Sequence, residues 1–346
     1  MKSLYVHIGH YKTGTTAFQS YCASNAAGLA RRGLLYPSAG RGPTAPTNHA
    51  GLSLPLAAAH GFHPPRWFTG TVDPSDAFEA LHAEFAATPQ RKALISSEEF
   101  VQLALRDDPE AAVAALSNNL ARYRTRVIFT LREPMALLVS WYAQVSRGAT
   151  PQGTFLDFAA GLNPDFLSQE PIRARFAGAF GARALRLIPY RGVGPWLKRR
   201  MLWSAGTIPY SRAALPIANV TGMVAEQERQ RVEVQTAAQR ADLGVTRTSL
   251  MALEARLSRI NSDYHQLNRH VRVAPSMLTL EQVVEHYRRL VEPAAGQFAL
   301  DPREADAMRE LAREARTGEI EDTLLTIAAL IDASQRHDDT RGAAWA

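Results

Sequence analysis

Residues 4–16 of this 346-residue chain read LYVHIGHYKTGTT. The alternating apolar residues at the start of the stretch predict a β-strand that ends at Gly9. Helix-forming residues begin at Ala17, and a short loop containing Lys12, Gly14 and several hydroxyl side chains lies between the strand and the helix. A strand, a glycine-containing loop and a helix start in this order form an anion cradle, because free backbone N–H groups and the positive end of the helix converge on a phosphate-like group.

The position of the lysine indicates which kind of anion the loop binds. The P-loop of nucleotide kinases reads G-x-x-x-x-G-K-[S/T]. When this pattern is aligned on Gly9 and Gly14, Thr15 occupies the lysine position, and the lysine of this chain lies earlier, at Lys12. The displacement argues against an ordinary ATP or GTP site.

A second motif, RVIFTLREP, occupies residues 126–134. Its apolar and β-branched run predicts a buried parallel strand, and Pro134 suits the first turn of a following helix. Arg132 therefore lies at the carboxyl end of a strand, where α/β sheets bind ligands. Ser140 lies about two turns farther on, and a helix of 3.6 residues per turn allows it to face the same side. An arginine fork suits a terminal phosphate because two N–H groups can meet two oxygens.

The two motifs together resemble those of sulfotransferases that use 3′-phosphoadenosine 5′-phosphosulfate (PAPS), particularly the bacterial and carbohydrate-type branch. The resemblance rests on K-T-G-T-T at residues 12–16 and on L-R-E-P-x-x-x-x-x-S-W-Y at residues 131–142, and it covers roughly residues 1–205. It implies an α/β fold with a parallel β-sheet flanked by helices, the P-loop NTPase-like sulfotransferase fold. It also implies PAPS as the donor, adenosine 3′,5′-bisphosphate (PAP) as the product, and no metal ion.

The resemblance assigns roles to individual residues. Lys12 is expected to act on the bond between the sulfonyl group and the phosphate, and Arg132 and Ser140 are expected to bind the 3′-phosphate. The 5′-phosphate is expected to be held by the rest of the loop: Thr13, Gly14, Thr15 and Thr16.

Transfer to a hydroxyl or amine also requires a base for the acceptor proton. Carbohydrate-type sulfotransferases tend to use a glutamate near the end of a central strand, and Glu98 follows the predicted strand at residues 92–96, so Glu98 is the first candidate. Glu99 is the second, although a carboxylate there also suits a helix start. His49, in a polar loop, and His10, inside the phosphosulfate loop, are the alternatives.

Composition agrees with an acidic ligand. The formal net charge is +6 and the sequence pI is about 9.6, a balance that favours polyanions. The basic residues form no dense block, and no zinc-finger or RNP-type signature accompanies them, so no nucleic-acid partner is expected. The single cysteine, Cys22, excludes an intrachain disulfide and a cysteine-based metal site. It is expected to pack in the first helix.

The beginning of the chain shows no signal peptide, and no charge-free apolar stretch is long enough for a bilayer. A cytoplasmic location without a membrane span is therefore expected.

The predicted secondary structure of the chain changes near residue 205, from mixed strands and helices to helices. The predicted α/β core at residues 1–205 contains helices over residues 17–32, 74–87 and 170–180. Residues 206–346 predict a helical region that packs on this core. The expected helices of that region lie at residues 223–242, 249–261, 279–290, 303–316 and 319–333, followed by a frayed tail at residues 341–346. A homo-oligomer through this region is a further hypothesis.

Three function classes follow from these observations. The first is a PAPS-dependent sulfotransferase with a small-molecule or saccharide acceptor. The alternatives are a P-loop kinase, disfavoured by the displaced lysine and by the lack of a metal-binding aspartate after the strand that ends at Leu131, and a non-catalytic nucleotide-binding module.

Overall fold

The structure, a computed structural model, describes residues 1–69, 73–146, 153–207, 246, 248–297 and 299–335. Within these residues, five strands form one sheet in the order β2-β3-β1-β4-β5, and every pairing is parallel. This confirms the α/β fold class. The strands are β1 (Ser3–His7), β2 (Leu34–Leu35), β3 (Lys92–Ser96), β4 (Arg124–Leu131) and β5 (Leu185–Pro189).

The central strand of the sheet is β1, which pairs with β3 on one side and β4 on the other. Leu4, Val6, Leu94 and Ile95 are fully buried. Parallel strands covered on both faces are expected to be nearly continuously apolar, and this explains why β3 and β4 were recognisable in the sequence. The carboxyl ends of β1, β3 and β4 meet at one edge of the sheet, at His7, Ser96 and Leu131.

The chain folds as two compact units that interleave in sequence. The first comprises residues 1–133, 169–219 and 266–274, and the second comprises residues 134–168, 220–265 and 275–346. The predicted division near residue 205 stays a prediction.

The first unit contains the sheet and the helices that flank it. Its helices are α1 (Thr15–Ser24), α2 (Ala26–Arg31), α3 (Ala50–Ala58), α4 (Pro74–Ala87), α5 (Pro109–Asn119), α9 (Glu170–Phe180) and α10 (Pro195–Ser204). A 3₁₀ helix, Glu98–Leu105, follows β3. Phe18 and Cys22 of α1 and Leu197 and Met201 of α10 pack in one core cluster with Ile128 of β4.

The helix expected over residues 17–32 is two helices that meet at Asn25. The backbone N–H and the side-chain amide of Asn25 both donate to the carbonyl of Tyr21, at 3.0 and 2.9 Å. An asparagine side chain that competes for backbone groups favours a helix end over a helix interior. The pattern of apolar residues continues across Asn25, so periodicity did not reveal the break.

The second unit is helical in its described part. It contains α6 (Pro134–Val145), α7 (Phe155–Gly161), α8 (Pro164–Ser168), α11 (Leu250–Gln266), α12 (Leu280–Ala295), α13 (Pro302–Glu314) and α14 (Gly318–Ser334). The last four confirm a largely helical C-terminal region, whereas the helix expected at residues 223–242 and the tail at 341–346 lie outside the described residues. In the described ranges, every helix is too short or too polar to cross a bilayer.

Candidate anion-binding and catalytic site

The loop between β1 and α1 takes its shape from three residues with positive φ. These are Gly9 (φ 48°), Lys12 (φ 62°) and Gly14 (φ 78°). A Cβ on Gly9 would lie 2.5 Å from Cγ2 of Thr15, and a Cβ on Gly14 would lie 2.9 Å from Cδ2 of Leu197. Both positions therefore require glycine, and the left-handed conformation at Lys12 is uncommon for a residue with a side chain.

The loop ends at the amino terminus of α1, which begins at Thr15. The N-cap is Gly14, which has no side chain to accept from the first N–H groups, and the first turn carries no acidic residue. The N–H groups of the first turn have no intrahelical acceptors, and the helix dipole places partial positive charge at this end. The loop therefore presents backbone donors suited to an anion.

The Thr13 side chain closes the loop internally. Its hydroxyl donates to the carbonyl of His10 at 2.6 Å, and its Oγ1 accepts from the backbone N–H of His10 at 3.3 Å. Thr13 and Thr15 are buried, whereas Thr16 is exposed and Lys12 is half-buried. The hydroxyl of Thr13 thus shapes the loop.

A buried histidine, His7, supports the loop from the end of β1. Its Nδ1 lies 2.7 Å from Oγ of Ser96 on β3, and its Nε2 lies 3.3 Å from Oγ1 of Thr130 on β4. Burial lowers the pKa of His7 to about 3, so the ring is neutral at physiological pH. His7 links the three central strands directly beneath Gly9, whose Cβ would lie 3.2 Å from the ring.

Arg132 lies at the end of β4, as predicted, and its side chain reaches the loop. Nη1 of Arg132 donates to the carbonyl oxygen of Lys12. The guanidinium also lies 5.3 Å from the ring centroid of Tyr190, and burial lowers its pKa from the ordinary arginine value. The structure thereby brings together the two motifs that the sequence places 120 residues apart.

The backbone of Arg132 is held by a residue that the sequence did not indicate. The side-chain amide of Gln169 accepts from the N–H of Arg132 at 2.9 Å and donates to its carbonyl at 2.6 Å. Gln169 is fully buried and has a φ of 65°. This double hydrogen bond fixes the strand end from which the guanidinium extends.

Ser140 lies in α6 and is half-buried. It belongs to the second compact unit, whereas Arg132 belongs to the first. The pairing of Ser140 with Arg132 stays a prediction.

Glu98 begins the 3₁₀ helix after β3 and contacts the helix that follows the loop. Its Oε2 accepts from Nε2 of Gln19 at 2.7 Å, and Gln19 is only 1% exposed. On α1, Gln19 lies one turn after Thr15, which positions Glu98 close to the start of that helix. Gln19 was not identified as a site residue from the sequence, although its i+4 spacing from Thr15 places it on the same face of α1 as that residue.

Glu99 is buried next to Glu98. Burial raises the pKa of the Glu99 carboxyl well above its ordinary value, and the charge of Glu98 raises it further. Burial also raises the pKa of the loop residue Tyr11, and the negative charges of Glu99 and Glu98 add to this. The two carboxyl groups therefore lie within electrostatic reach of the loop between β1 and α1.

His49 is fully buried, and both of its ring nitrogens contact backbone groups. Nδ1 accepts from the N–H of Ser96 at 3.1 Å, and Nε2 lies 3.2 Å from the carbonyl of Pro37, to which it can donate. Burial and the charge of Arg41 lower the pKa of His49 to about 3. These contacts describe a neutral structural histidine that anchors its loop to β3.

His10 lies in the loop itself and is also buried. Its Nδ1 is 3.4 Å from the carbonyl of Tyr11, and its ring lies 6.2 Å from that of Phe129. His10 thus packs against the sheet as part of the loop.

Two further features bear on the chemistry. In the part of the chain that the structure describes, no group of three or more His, Cys, Asp or Glu residues is placed to hold a metal ion. Cys22 is buried, as expected, and burial raises the pKa of its thiol.

Comparisons with known proteins give little further information on the function of this site. No family model matches the sequence, and no curated protein matches it. Among solved structures, the chain is similar to the crystal structure of a sulfotransferase from Alicyclobacillus acidocaldarius, with 15% identity over 69% of this chain and 94% of that chain and a TM-score of 0.38. At this level of similarity, the match assigns neither a family nor an activity to the chain.

Proposed function

We propose that this chain is a sulfotransferase that transfers a sulfonyl group from PAPS to a hydroxyl or amine of a small-molecule or saccharide acceptor. The observation that carries the proposal is the hydrogen bond from Arg132 to the carbonyl of Lys12. It joins a K-T-G-T-T loop to an arginine at the end of the neighbouring strand. A donor with phosphate groups at both its 5′ and 3′ positions needs two cationic subsites of this kind close together.

The donor, when bound, supplies an activated sulfonyl group on its 5′-phosphate. The N–H groups at the start of α1 and the residues from Thr13 to Thr16 hold that phosphate. Lys12 places a cation beside the bridging oxygen, where negative charge develops as the bond to sulfur breaks. Arg132, together with Ser140, holds the 3′-phosphate.

The acceptor oxygen or nitrogen forms the new bond to sulfur, the bond from sulfur to the bridging oxygen breaks, and PAP leaves. Glu98 takes the acceptor proton. The hydrogen bond from Gln19 fixes the Glu98 carboxylate beside the loop, and this supports Glu98 over His49, whose ring nitrogens are engaged by backbone groups. Glu99 is the second candidate, and His10 is the third.

The first test is a calorimetric titration with PAP in the absence of metal, with ATP and magnesium as the comparison. We expect PAP to bind the wild-type chain and to bind Arg132→Ala at least tenfold more weakly, because a charge-assisted hydrogen bond contributes about 1.5–3 kcal/mol. Arg124→Ala, at the exposed opposite end of the same strand, is the matched control. Clear binding of ATP with magnesium and none of PAP would overturn the proposal in favour of a kinase.

The second test is transfer of labelled sulfonyl group to a panel of acceptors. We expect Lys12→Ala to abolish transfer. Glu98→Gln should lower the rate by about 10²–10⁴-fold, the usual contribution of a general base, while keeping the affinity for PAP. Wild-type turnover in Glu98→Gln would move the base to another candidate. Tight PAP binding with no transfer to any acceptor would favour a non-catalytic binding module.

A further inference from the structure

A second basic site lies on the sheet, away from the loop. A solvent-open cavity of about 360 Å³ is lined by Tyr5 of β1, Arg126 of β4, Arg186 of β5, and by Arg200, Trp203, Ser204 and Gly206 from α10 and the turn after it. We call this cavity the arginine pocket. All of its residues belong to the first compact unit.

Strand register explains why three side chains from three strands meet there. Tyr5 pairs with Arg126, and Arg186 pairs with Ile128. Because side chains alternate between the faces of a strand, Arg126 and Ile128 share a face, so Tyr5, Arg126 and Arg186 point to the same side of the sheet. Helix α10 packs on this side, since Leu197 and Met201 lie in the core cluster that contains Tyr5 and Ile128.

The arginine pocket is separate from the candidate donor site. Arg126 lies near the amino end of β4, and Leu131, next to Arg132, ends that strand. Five residues of extended strand span about 16 Å. A single small ligand in the loop therefore does not also fill the pocket.

Within the described ranges, no carboxylate pairs with the guanidinium groups of the pocket. Arg126 donates to the carbonyl of Arg183 at 3.2 Å, and Arg186 donates to the carbonyls of Arg183 and Leu185 at 3.1 and 3.0 Å. Among the described residues, no ion pair involves Arg126, Arg186 or Arg200. Each guanidinium has five N–H donors, so these contacts leave donors for a ligand, and an anion would relieve the mutual repulsion of three like charges.

The rim of the pocket carries an exposed aromatic ring. Trp203 is 66% exposed and follows Arg200 by three residues, which places both side chains on one face of α10. The indole offers a flat apolar surface next to the guanidinium groups, and the hydroxyl of Ser204 adds a hydrogen-bonding group. Such a combination suits an anionic group attached to a ring, since the ring can lie against the indole while the anion meets the arginines.

We propose that the arginine pocket binds a sulfate or phosphate monoester carried by a ring-bearing small molecule, with Arg126, Arg186 and Arg200 on the ester group and Trp203 against the ring. The inference does not depend on the proposed sulfotransferase activity, because it uses none of the loop residues.

The test is titration of the wild-type chain with glucose 6-sulfate, glucose 6-phosphate and AMP at low ionic strength. Binding is measured by calorimetry and by tryptophan fluorescence. Free glucose is the uncharged control. We expect one or more of the esters to bind and glucose not to bind. The preferred ester distinguishes sulfate from phosphate, and AMP distinguishes a nucleobase from a sugar ring.

Three variants decide whether the pocket is the site. Arg200→Ala and Arg126→Ala should each weaken binding about tenfold, equivalent to about 1.4 kcal/mol, and Trp203→Ala should remove the fluorescence change. Arg199→Ala is the matched control, because Arg199 is exposed on the same helix and does not line the pocket. Equal weakening in Arg199→Ala, or no binding of any ester, would overturn the proposal.

Discussion

His49 allows a sharp test of whether a candidate base is instead a structural residue. Its ring is fully buried, both nitrogens contact backbone groups, and its pKa is lowered to about 3. In the unfolded chain the same ring is in water, with an ordinary histidine pKa of about 6.5. Folding therefore requires His49 to stay neutral, and acid should oppose folding at this residue.

The size of the effect follows from the two pKa values. Because the folded-state pKa is depressed, the unfolded chain binds the proton more tightly at every pH between about 3 and about 6.5. Stability that is present at pH 7 is lost as the pH falls through this window. For one histidine with these values, the free energy of unfolding decreases by about 2 kcal/mol between pH 7 and pH 5.

The assay is urea unfolding at pH 7 and pH 5 for the wild-type chain and for His49→Gln. Glutamine loses the titrating group, so the variant should lose about 2 kcal/mol less than the wild type between these pH values. Because the change between pH 7 and pH 5 is compared in the two proteins, the contributions of His7 and of all other titrating groups cancel. Any pH-independent loss of stability from weaker contacts with Ser96 and Pro37 cancels as well. His63→Gln, an exposed histidine, is the control. Identical pH dependence in wild type and His49→Gln would refute the assignment of a buried neutral ring.

Two further predictions concern the loop and its support. Gly14→Ala should lower the free energy of unfolding by more than Gly33→Ala in urea unfolding. Both glycines have positive φ, which costs an alanine about 1–2 kcal/mol. Only the new Cβ at Gly14 would crowd Leu197. Equal losses of unfolding free energy in the two variants would mean that this crowding is unimportant. Gln169→Glu should destabilise the chain by about 1–3 kcal/mol and weaken PAP binding, because a carboxylate cannot donate to the carbonyl of Arg132. Unchanged stability and calorimetric affinity in this variant would contradict the role of the double hydrogen bond.

Several elements were predictable from short-range pattern alone. The strand Lys92–Ser96 and the helices Pro74–Ala87 and Glu170–Phe180 have the predicted bounds. Each is marked by a proline near its start or by a compact apolar run, and these signals act over one or two turns or within one strand. The same holds for the position of Arg132 after β4.

The candidate site was predictable in part. The loop was recognisable because a strand, two glycines and a helix start are adjacent in sequence, and Glu98 was recognisable because it follows a strand. The supporting residues His7, Gln19 and Gln169 were not identified, since each acts on a group that is distant along the chain: Ser96 and Thr130, Glu98, and Arg132.

By itself, then, the sequence determined the approximate positions of the central strands and of several helices and that the sheet is parallel, and it predicts which loop cradles an anion, because these features depend on neighbours within a few residues. Tertiary structure alone decided that Arg132 bonds to the carbonyl of Lys12, that His49 is sealed between backbone groups, and that three arginines share one pocket. Those arrangements depend on strand order and register, and local patterns do not encode which strands lie side by side.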